Sequence, residues 1–188
     1  MGMQPLPPEA KKVFAGQIFD VYQWRQRLYD GSYAIFERLK RLDTVEIIPV
    51  TTDGTILMVE EEQPDHSPVI GIPAGRIEPD EQPATAAARE LREETGYTAA
   101  EIKLWKTERP FAKIEWTVYR YIAYGCQKAG EQQLDAGEKI SVLAVDFDRF
   151  LAEASKEQFR MQELTSDVLR ARIEPEKMAE LKKLLTIH

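Results

Sequence analysis

One short predicted helix restricts the fold of this chain more than any other feature. It lies within the stretch "GRIEPDEQPATAAARELREETGY", residues 75–97. Between Pro83 and Glu94, apolar side chains recur at the three- and four-residue spacing of an amphipathic helix. The predicted apolar stripe consists of Ala84, Ala87, Ala88 and Leu91. Such a stripe has to pack against another element, which places this helix on the face of a sheet.

Three glutamates crowd one side of that helix. At about 100° per residue, Glu90, Glu93 and Glu94 fall in one narrow sector beside Ala87 and Leu91. Like charges four residues apart destabilise a helix by roughly 0.2–0.5 kcal/mol per pair, and half-buried carboxylates raise one another's pKa. Oxygen-rich acidic clusters bind hard divalent cations, and Mg²⁺ prefers carboxylates together with substrate phosphates. The pattern predicts a magnesium site, with a solvated acidic helix face as the alternative.

The residues around these glutamates are consistent with a built site. Arg89 precedes Glu90 by one residue and Glu93 by four, so it can pair with a carboxylate and orient it. Gly75 lies in the preceding loop, where a free backbone is useful, and Gly96 follows the helix as a stop. The two glycines therefore bracket one loop–helix unit.

The unit resembles the motif of the Nudix hydrolases, Gly-x5-Glu-x7-Arg-Glu-U-x-Glu-Glu-x-Gly-U, where U is a bulky apolar residue. The matching positions are Gly75, Glu81, Arg89, Glu90, Leu91, Glu93, Glu94, Gly96 and Tyr97. The resemblance implies an α/β fold, the Nudix α/β/α sandwich with a mixed sheet. It also implies an enzyme that uses Mg²⁺, for which Mn²⁺ can substitute, to hydrolyse a nucleoside diphosphate linked to another moiety.

The same resemblance implies roles for individual side chains. Glu90, Glu93 and Glu94 are the expected metal ligands, and Glu93 and Glu94 are also expected to serve catalysis. Arg89 is expected to orient a carboxylate. Glu81 is expected to reach a metal through water, or else to be a first-turn charge favoured by the helix dipole.

One subgroup of the family is the most similar. "IPAGRIE" resembles the "LPAG" segment of ADP-ribose and nucleoside-diphosphate-sugar pyrophosphatases, which also carry a β-rich arm, a helical tail and often an arm exchanged within a homodimer. Two further loops resemble loops of that group and place Glu115 and Glu138 near the site. Glu138 is the candidate water-activating base or a further metal contact, with an exposed loop charge as the alternative. Gly75, Glu115 and Trp24 are the candidate substrate contacts, and Trp24 could instead be strand packing.

The sequence also departs from that subgroup. Gly71 stands where a glutamate is frequent, residues 61–68 lack the arginine common there, and "RPF" replaces a Ser-Pro-Gly. ADP-ribose and another nucleoside-diphosphate sugar therefore both remain open as the substrate. Two other functions also remain open: a house-cleaning hydrolase that releases pyrophosphate from nucleoside triphosphates, and a Nudix-fold module that senses a nucleotide sugar without cleaving it.

The pattern of elements divides the chain into three parts. These are an N-terminal β-rich arm at 1–42, which is a candidate dimer element, a Nudix catalytic domain at 43–150, and a helical tail at 151–188 packed on that domain. Turns are predicted at Asp30-Gly31 and Asp53-Gly54. The predicted strands of the body are 44–50, 55–62, 69–73, 101–107, 113–125 and 139–147. The tail is predicted to be helical from Asp148, with its last helix starting at Pro175.

Composition excludes several classes of protein. The net charge of −7 argues against a nucleic-acid surface, which needs a basic stripe. One cysteine allows no disulfide within the chain, and no apolar run suits a signal peptide or a membrane span, so a cytoplasmic protein is expected. With only two histidines, a histidine-based metal site is not expected.

Overall fold

Strands dominate the first two thirds of the chain and helices its end. The computed structural model describes residues 5–64 and 66–186, with the backbone alone at residue 66; the first four residues of the predicted arm and the last two of the predicted tail, including the terminal histidine, lie outside this range. In chain order the strands are β1 Lys11–Ala15, β2 Asp20–Arg27, β3 Tyr33–Lys40, β4 Thr44–Thr51, β5 Ile56–Gln63, β6 His66–Gly71, β7 Ala74–Arg76, β8 Tyr97–Thr98, β9 Glu101–Glu108, β10 Ile114–Glu115, β11 Val118–Lys128 and β12 Lys139–Val145. The helices are α1 Pro83–Thr95, α2 Phe147–Ala154, α3 Gln162–Ile173 and α4 Pro175–Leu185.

The N-terminal strands form a separate small sheet. Its order is β1-β2-β3-β10, antiparallel except that β10 runs parallel to β3. The turn at Asp30-Gly31 joins β2 to β3 as predicted, and the N–H of Ser32 donates to Asp30 Oδ1 at 2.9 Å. The β-rich arm predicted from the sequence is therefore folded as a sheet that reaches the body through β10.

The predicted strand at 113–125 is wrong as one element, because the chain changes sheets within it. Its start is β10 in the arm sheet, and its larger part is β11 in the main sheet. At the crossing, the N–H of Thr117 donates to Asp43 Oδ1 at 2.7 Å, and the indole N–H of Trp116 donates to Thr44 Oγ1 at 3.0 Å. These side-chain bonds hold the chain where neither ladder continues.

The main sheet is mixed, as predicted. Its path is β12-β5-β4-β11-β8, with β6 beside β5, β7 beside β4 and β9 beside β11. The central pair, β4 and β11, is parallel, while the other pairs are antiparallel. Every residue of β4 is buried, which is expected of a strand covered on both faces.

Helices cover both faces of this sheet. On β4, Val45 and Ile47 belong to a core that includes Ala87 and Leu91 of α1. The alternate residues of the same strand face a larger core shared with the C-terminal helices, which includes Ile48, Val50, Phe150, Leu164, Val168, Ala171, Leu181 and Leu185. The α/β/α sandwich is thus confirmed, with α1 on one face and α2–α4 on the other. In the described part of the chain, no helix has both the length and the apolar character to cross a membrane.

Helix α1 begins and ends where the sequence predicts, but it is rotated about its axis, so that a different face is buried. Pro83 begins it and Gly96 ends it with a φ of 72°, a left-handed conformation that glycine adopts without strain. Ala84 and Ala88 of the predicted stripe are exposed. The buried residues are Ala86, Ala87, Leu91, Glu94 and Thr95. Alanines offer too little apolar area to fix the rotation, and the helix instead turns a glutamate inward.

The last predicted strand ran two residues too far. Strand β12 ends at Val145, and Asp146 caps α2 by accepting the N–H of Arg149 at 2.7 Å. The predicted helical tail is present in the described residues, and its last helix begins at Pro175 as expected. The limits of the three predicted parts remain a prediction.

Candidate active site

A cleft of about 520 Å³ opens beside the C-terminal half of α1. Its walls come from α1, from β7, from the loop before β12 and from the loop between α2 and α3. Of the residues predicted for the site, the lining includes Gly75, Arg89, Glu90, Glu93, Glu94 and Glu138. The fold therefore brings two segments that are distant in sequence to one place.

Strand β7 brings the main chain against the helix at Gly75. Antiparallel pairing with β4 sets Gly75 opposite Val45. A Cβ at position 75 would overlap the carboxyl group of Glu90, so a larger residue there would force that carboxyl out of its position. The glycine that begins the motif therefore lets the main chain lie against the carboxyl group of Glu90, the second glutamate of the motif.

Glu94 is the most buried of the three glutamates. Its residue is 5% exposed, and the N–H of Ala74 donates to its Oε2 at 3.1 Å. Burial raises the pKa of Glu94 to about 8, and the charges of Glu90 and Glu61 act in the same direction. The charge of Arg160 and the Ala74 hydrogen bond oppose the rise in this pKa. The ionised form of a carboxylate with such a pKa is destabilised by its surroundings, and a nearby cation would stabilise it.

Arg89 connects the other acidic side chains. Its Nε and Nη2 donate to the two oxygens of Glu81 at 3.0 and 2.9 Å, and its Nη1 donates to Glu90 Oε1 at 2.8 Å and Glu93 Oε2 at 2.9 Å. Its Nη2 also donates to the carbonyl of Arg76 at 2.9 Å. These bonds, first of all those with Glu81, raise the pKa of Arg89 and lower the pKa of Glu81. Arg89 thus orients three carboxylates at once.

The glutamates fit a divalent cation by their chemistry. Burial raises the pKa of Glu90, and the charges of Glu93 and Glu138 add to the rise while Arg89 opposes it. Each of Glu90, Glu93 and Glu94 has one oxygen in a bond described above, and a carboxylate offers two. Among the side chains that the structure describes, at 5–64 and 67–186, no three acidic, histidine or cysteine groups already converge on one coordination point. Buried acidic oxygens that repel one another are nevertheless the donors that Mg²⁺ prefers.

The loop before β12 is tied to the end of α1. Gln132 Nε2 donates to the carbonyl of Glu94 at 2.5 Å, and the N–H of Gln133 donates to the carbonyl of Glu93 at 2.8 Å. This attachment holds Glu138 at the cleft. Burial raises the pKa of Glu138, helped by the charges of Asp135 and Glu61.

Comparison with known proteins agrees with the motif. The family model described as the NUDIX domain matches residues 40–167. The chain belongs to the Nudix family. The ADP-ribose pyrophosphatase of Bacillus subtilis (strain 168) is 32% identical over 143 residues, which cover 73% of this chain and 76% of that protein. The enzyme class predicted from the motif, a Nudix pyrophosphatase, is confirmed by these matches.

Two further similarities accompany this Nudix assignment. The methanol dehydrogenase activator of Bacillus methanolicus is 28% identical over 148 residues, which cover 76% of this chain and 79% of that protein. A solved structure, described as the crystal structure of ADP compounds hydrolase, has a TM-score of 0.71 at 20% identity and covers 92% of this chain and 95% of that chain. The latter shows a shared fold.

Two predicted substrate contacts of the Nudix enzyme lie away from the cleft lining. Trp24 is 7% exposed within the arm sheet, where its indole N–H donates to Gln26 at 2.9 Å and its ring meets Phe36 edge-on. Glu115 accepts from Lys40 at 2.9 Å and from the N–H of Leu6 at 2.7 Å. Their roles in substrate binding stay predictions, and these positions do not support them.

The cleft of this Nudix enzyme also contains two arginines, Arg41 and Arg160, that the sequence alone did not indicate. Arg41 lies over the ring of Trp116, 4.7 Å from its centroid, and Trp116 stacks on Phe111 at 6.2 Å. Arg160 enters from the loop between α2 and α3. None of these residues belongs to the motif, and only folding brings them beside it.

Proposed function

We propose that this Nudix hydrolase uses Mg²⁺ to cleave the pyrophosphate bond of a nucleoside-diphosphate sugar such as ADP-ribose, giving a nucleoside monophosphate and a sugar phosphate. The observation that carries the proposal is the burial of Glu94 beside Glu90 in a cleft that also exposes guanidinium groups. The similarity to a protein named ADP-ribose pyrophosphatase supports the choice of substrate.

Glu90, Glu93 and Glu94 are the side chains that would hold the ion. When bound, Mg²⁺, or Mn²⁺ in its place, supplies positive charge that offsets the phosphates and acidifies a nearby water. Arg89 keeps two of these carboxylates in position through its Nη1. Its bidentate bond with Glu81 fixes the guanidinium, so the role of Glu81 closest to its contacts is to position Arg89. A water-mediated metal contact by Glu81 remains a second proposal.

Glu138 is the proposed base. Its pKa is raised by burial, which brings a carboxylate closer to the range where a general base is effective near neutral pH. It reaches the cleft from a loop attached to α1, so it can accept a proton from a water that approaches the phosphates. Gly75 contributes by letting the main chain lie against Glu90.

The arm supports a homodimer. It exposes large apolar side chains, Val13, Phe14, Ile18, Tyr33 and Ile35. A second copy of the chain would bury them, which favours association because apolar area is removed from water. We place the arm at 1–42, the catalytic domain at 43–150 and the tail at 151–188, and we propose a cytoplasmic enzyme that does not act on nucleic acid.

A substrate panel tests the function. The protein is incubated with ADP-ribose, other nucleotide sugars, dinucleotides and nucleoside triphosphates, each with Mg²⁺ and with EDTA, and the products are separated. We expect monophosphate and sugar phosphate from a nucleotide sugar with Mg²⁺, and loss of this product in Glu94→Gln. Pyrophosphate released from a triphosphate would indicate the house-cleaning alternative. Tight binding of a nucleotide sugar without turnover would indicate a sensor.

The dimer is tested by light scattering after gel filtration. We expect twice the chain mass for the wild type and a shift toward the monomer for Ile35→Lys, whose side chain is 67% exposed in the arm. Arg172→Glu, on the exposed side of α3, is the control that should leave the mass unchanged. A monomeric wild type at micromolar concentration contradicts the homodimer.

A further inference from the structure

The lining of the cleft carries an excess of negative charge, and the proposed Mg²⁺ would offset only part of it. Acidic side chains outnumber basic ones in its lining, and a diphosphate adds negative charge to it. Arg89 is already engaged by three carboxylates. The remaining arginines of the lining are Arg41, Arg76 and Arg160.

Arg41 shares the cleft with the positive charges of Arg76 and Arg160. Burial lowers the pKa of Arg41, and the next causes are the positive charges of Arg76 and Arg160. Like charges that line one cleft repel, and an anion between them removes the repulsion. These positive side chains and the negative side chains of α1 line the same cleft.

Arg41 also has a donor without a partner. Among the described residues, its Nε is buried and makes no hydrogen bond. A buried N–H without an acceptor costs roughly 1–3 kcal/mol, so such groups usually have a ligand. The guanidinium carbon lies 4.7 Å from the centroid of the Trp116 ring, and the planar fork of N–H groups around it suits a phosphate oxygen.

Arg160 is held rigidly at the cleft by the residues on either side of it. Phe159 and Met161 are 2% and 4% exposed, and the N–H of Arg160 donates to the carbonyl of Ile70 at 2.9 Å. A Cβ on Gly71 would lie 3.0 Å from Met161 Sδ and 3.1 Å from Arg160 Cβ. The absence of a side chain on Gly71 therefore lets this loop pack closely against β6.

One end of the Arg160 side chain remains available. Its Nη1 contacts Glu61 Oε2, while Gln63 Nε2 donates to the other oxygen of Glu61 at 2.5 Å. A guanidinium has five donors in a planar fork, so one bond to Glu61 leaves several for a ligand. The side chain is 34% exposed, whereas that of Glu61 is 4% exposed. Glu61 thus positions the guanidinium of Arg160 and leaves some of its N–H donors free to bind a ligand.

We propose that Arg41, Arg76 and Arg160 form an anion subsite that binds the phosphate groups of the nucleoside-diphosphate substrate, with Arg160 supplied by the loop between α2 and α3. The subsite rests on the proposed function for the identity of its ligand. The helical tail would then bind substrate directly, through a loop that packs closely against Gly71.

The test measures binding without metal and without turnover. Titration calorimetry in EDTA records the affinity for inorganic pyrophosphate and for ADP-ribose. We expect Arg160→Gln and Arg41→Gln each to weaken pyrophosphate binding about tenfold or more, the effect of losing a charge-assisted contact. Arg172→Gln removes the same charge from the same tail at an exposed position of α3 and should bind as the wild type does.

A second variant separates binding from folding, because Arg160→Gln leaves Glu61 buried without its cation. The double variant Glu61→Gln/Arg160→Gln keeps a neutral hydrogen-bonding pair and should recover the melting temperature. If its pyrophosphate affinity also returns to the wild-type value, Arg160 only neutralises Glu61 and the proposed anion subsite is wrong. If the affinity stays low, Arg160 binds the phosphate directly.

The two proposals fail in different ways. A wild type that binds pyrophosphate through Arg160 but hydrolyses no compound of the panel overturns the proposed function and leaves the subsite standing. An Arg160→Gln protein that binds pyrophosphate within twofold of the wild type and hydrolyses ADP-ribose with an unchanged KM overturns the subsite alone.

Discussion

Gly75 and the carboxyl group of Glu90 are in such close contact that the smallest added side chain would overlap that carboxyl. Pairing with β4 holds the backbone at Gly75 and α1 holds the backbone of Glu90, so an added side chain would have to be accommodated by a shift of the Glu90 carboxyl. The glycine is thus part of the site because of its size.

Gly75→Ala should therefore damage activity more than stability. The methyl group displaces the Glu90 carboxyl, and a displacement of about 1 Å at a reacting centre can cost about a hundredfold in rate. We expect kcat to fall at least tenfold in Mg²⁺-dependent assays. Gly130→Ala is the control, because a Cβ there meets nothing within 4 Å. Equal kcat in the two variants would contradict this account of Gly75.

Arg89→Lys should impair metal use although it keeps the charge. A lysine cannot reproduce the bidentate bond to Glu81 while also contacting Glu90 and Glu93, since it lacks the planar fork. We expect the Mg²⁺ concentration for half-maximal activity to rise about tenfold, the effect of losing one charge-assisted contact. Arg92→Lys, at an exposed position of the same helix, should leave that concentration unchanged. A normal Mg²⁺ requirement in Arg89→Lys would show that the bidentate contact is dispensable.

Stability without metal should fall as pH rises, because of Glu94. Its pKa is raised to about 8 in the folded protein, so the folded state holds the proton more tightly than the unfolded chain does. This contribution to stability is greatest below pH 4.5, the ordinary pKa of a glutamate, and is lost as the pH rises through about 8. In EDTA we expect the melting temperature to decline over this window, by about 2–4 °C for each kcal/mol lost.

Glu94→Gln is the matched variant for that experiment. Glutamine can accept the same hydrogen bond from the N–H of Ala74 through its side-chain oxygen, and it has no group that titrates. Its melting temperature should depend less on pH than that of the wild type. Mg²⁺ should stabilise the wild type more at about pH 8 than at about pH 5, because an ion binds the ionised carboxylate. Parallel pH curves for the two proteins would mean that Glu94 does not titrate in this range.

The sequence predicted the elements that local patterns determine. The turn at Asp30-Gly31, the start of α1 at Pro83 and its end at Gly96 all follow from residues whose backbone preferences act over a few positions. The mixed sheet and the cover on both faces were expected from the family resemblance and are present. The placement of Glu138 at the same cleft as Glu94 was also anticipated, through a short loop motif.

Long-range contacts decided what the sequence could not predict. On the inward side of α1, the N–H of Ala74 donates to the carboxylate of Glu94, and no pattern within the helix contains the information for that contact. The division of 113–125 between two sheets depends on Asp43 and Thr44, which are far away in sequence. Arg160 reaches the cleft because its loop packs on Gly71, a contact between two segments that each look ordinary alone.

The last prediction concerns the buried Arg120, which joins the sheet to the C-terminal helices behind the cleft. It is 0% exposed and pairs with Glu46 at 2.7 Å, Glu108 at 2.8 Å and Asp167 of α3 at 3.4 Å. Burial raises the pKa of Glu46, and the charge of Arg120 opposes this rise, so removing the arginine leaves an uncompensated buried carboxylate.

Arg120→Met should therefore destabilise the protein by about 3–5 kcal/mol, measured by urea unfolding. Lys103→Met is the control, because its ion pair with Glu101 is exposed on both sides and exposed pairs contribute roughly 0–1 kcal/mol. The double variant Arg120→Met/Glu46→Gln should recover part of the stability, because a neutral glutamine replaces the uncompensated buried carboxylate. Equal unfolding free energies for Arg120→Met and Lys103→Met would mean that water reaches Glu46 and that the network does not hold the tail on the sheet.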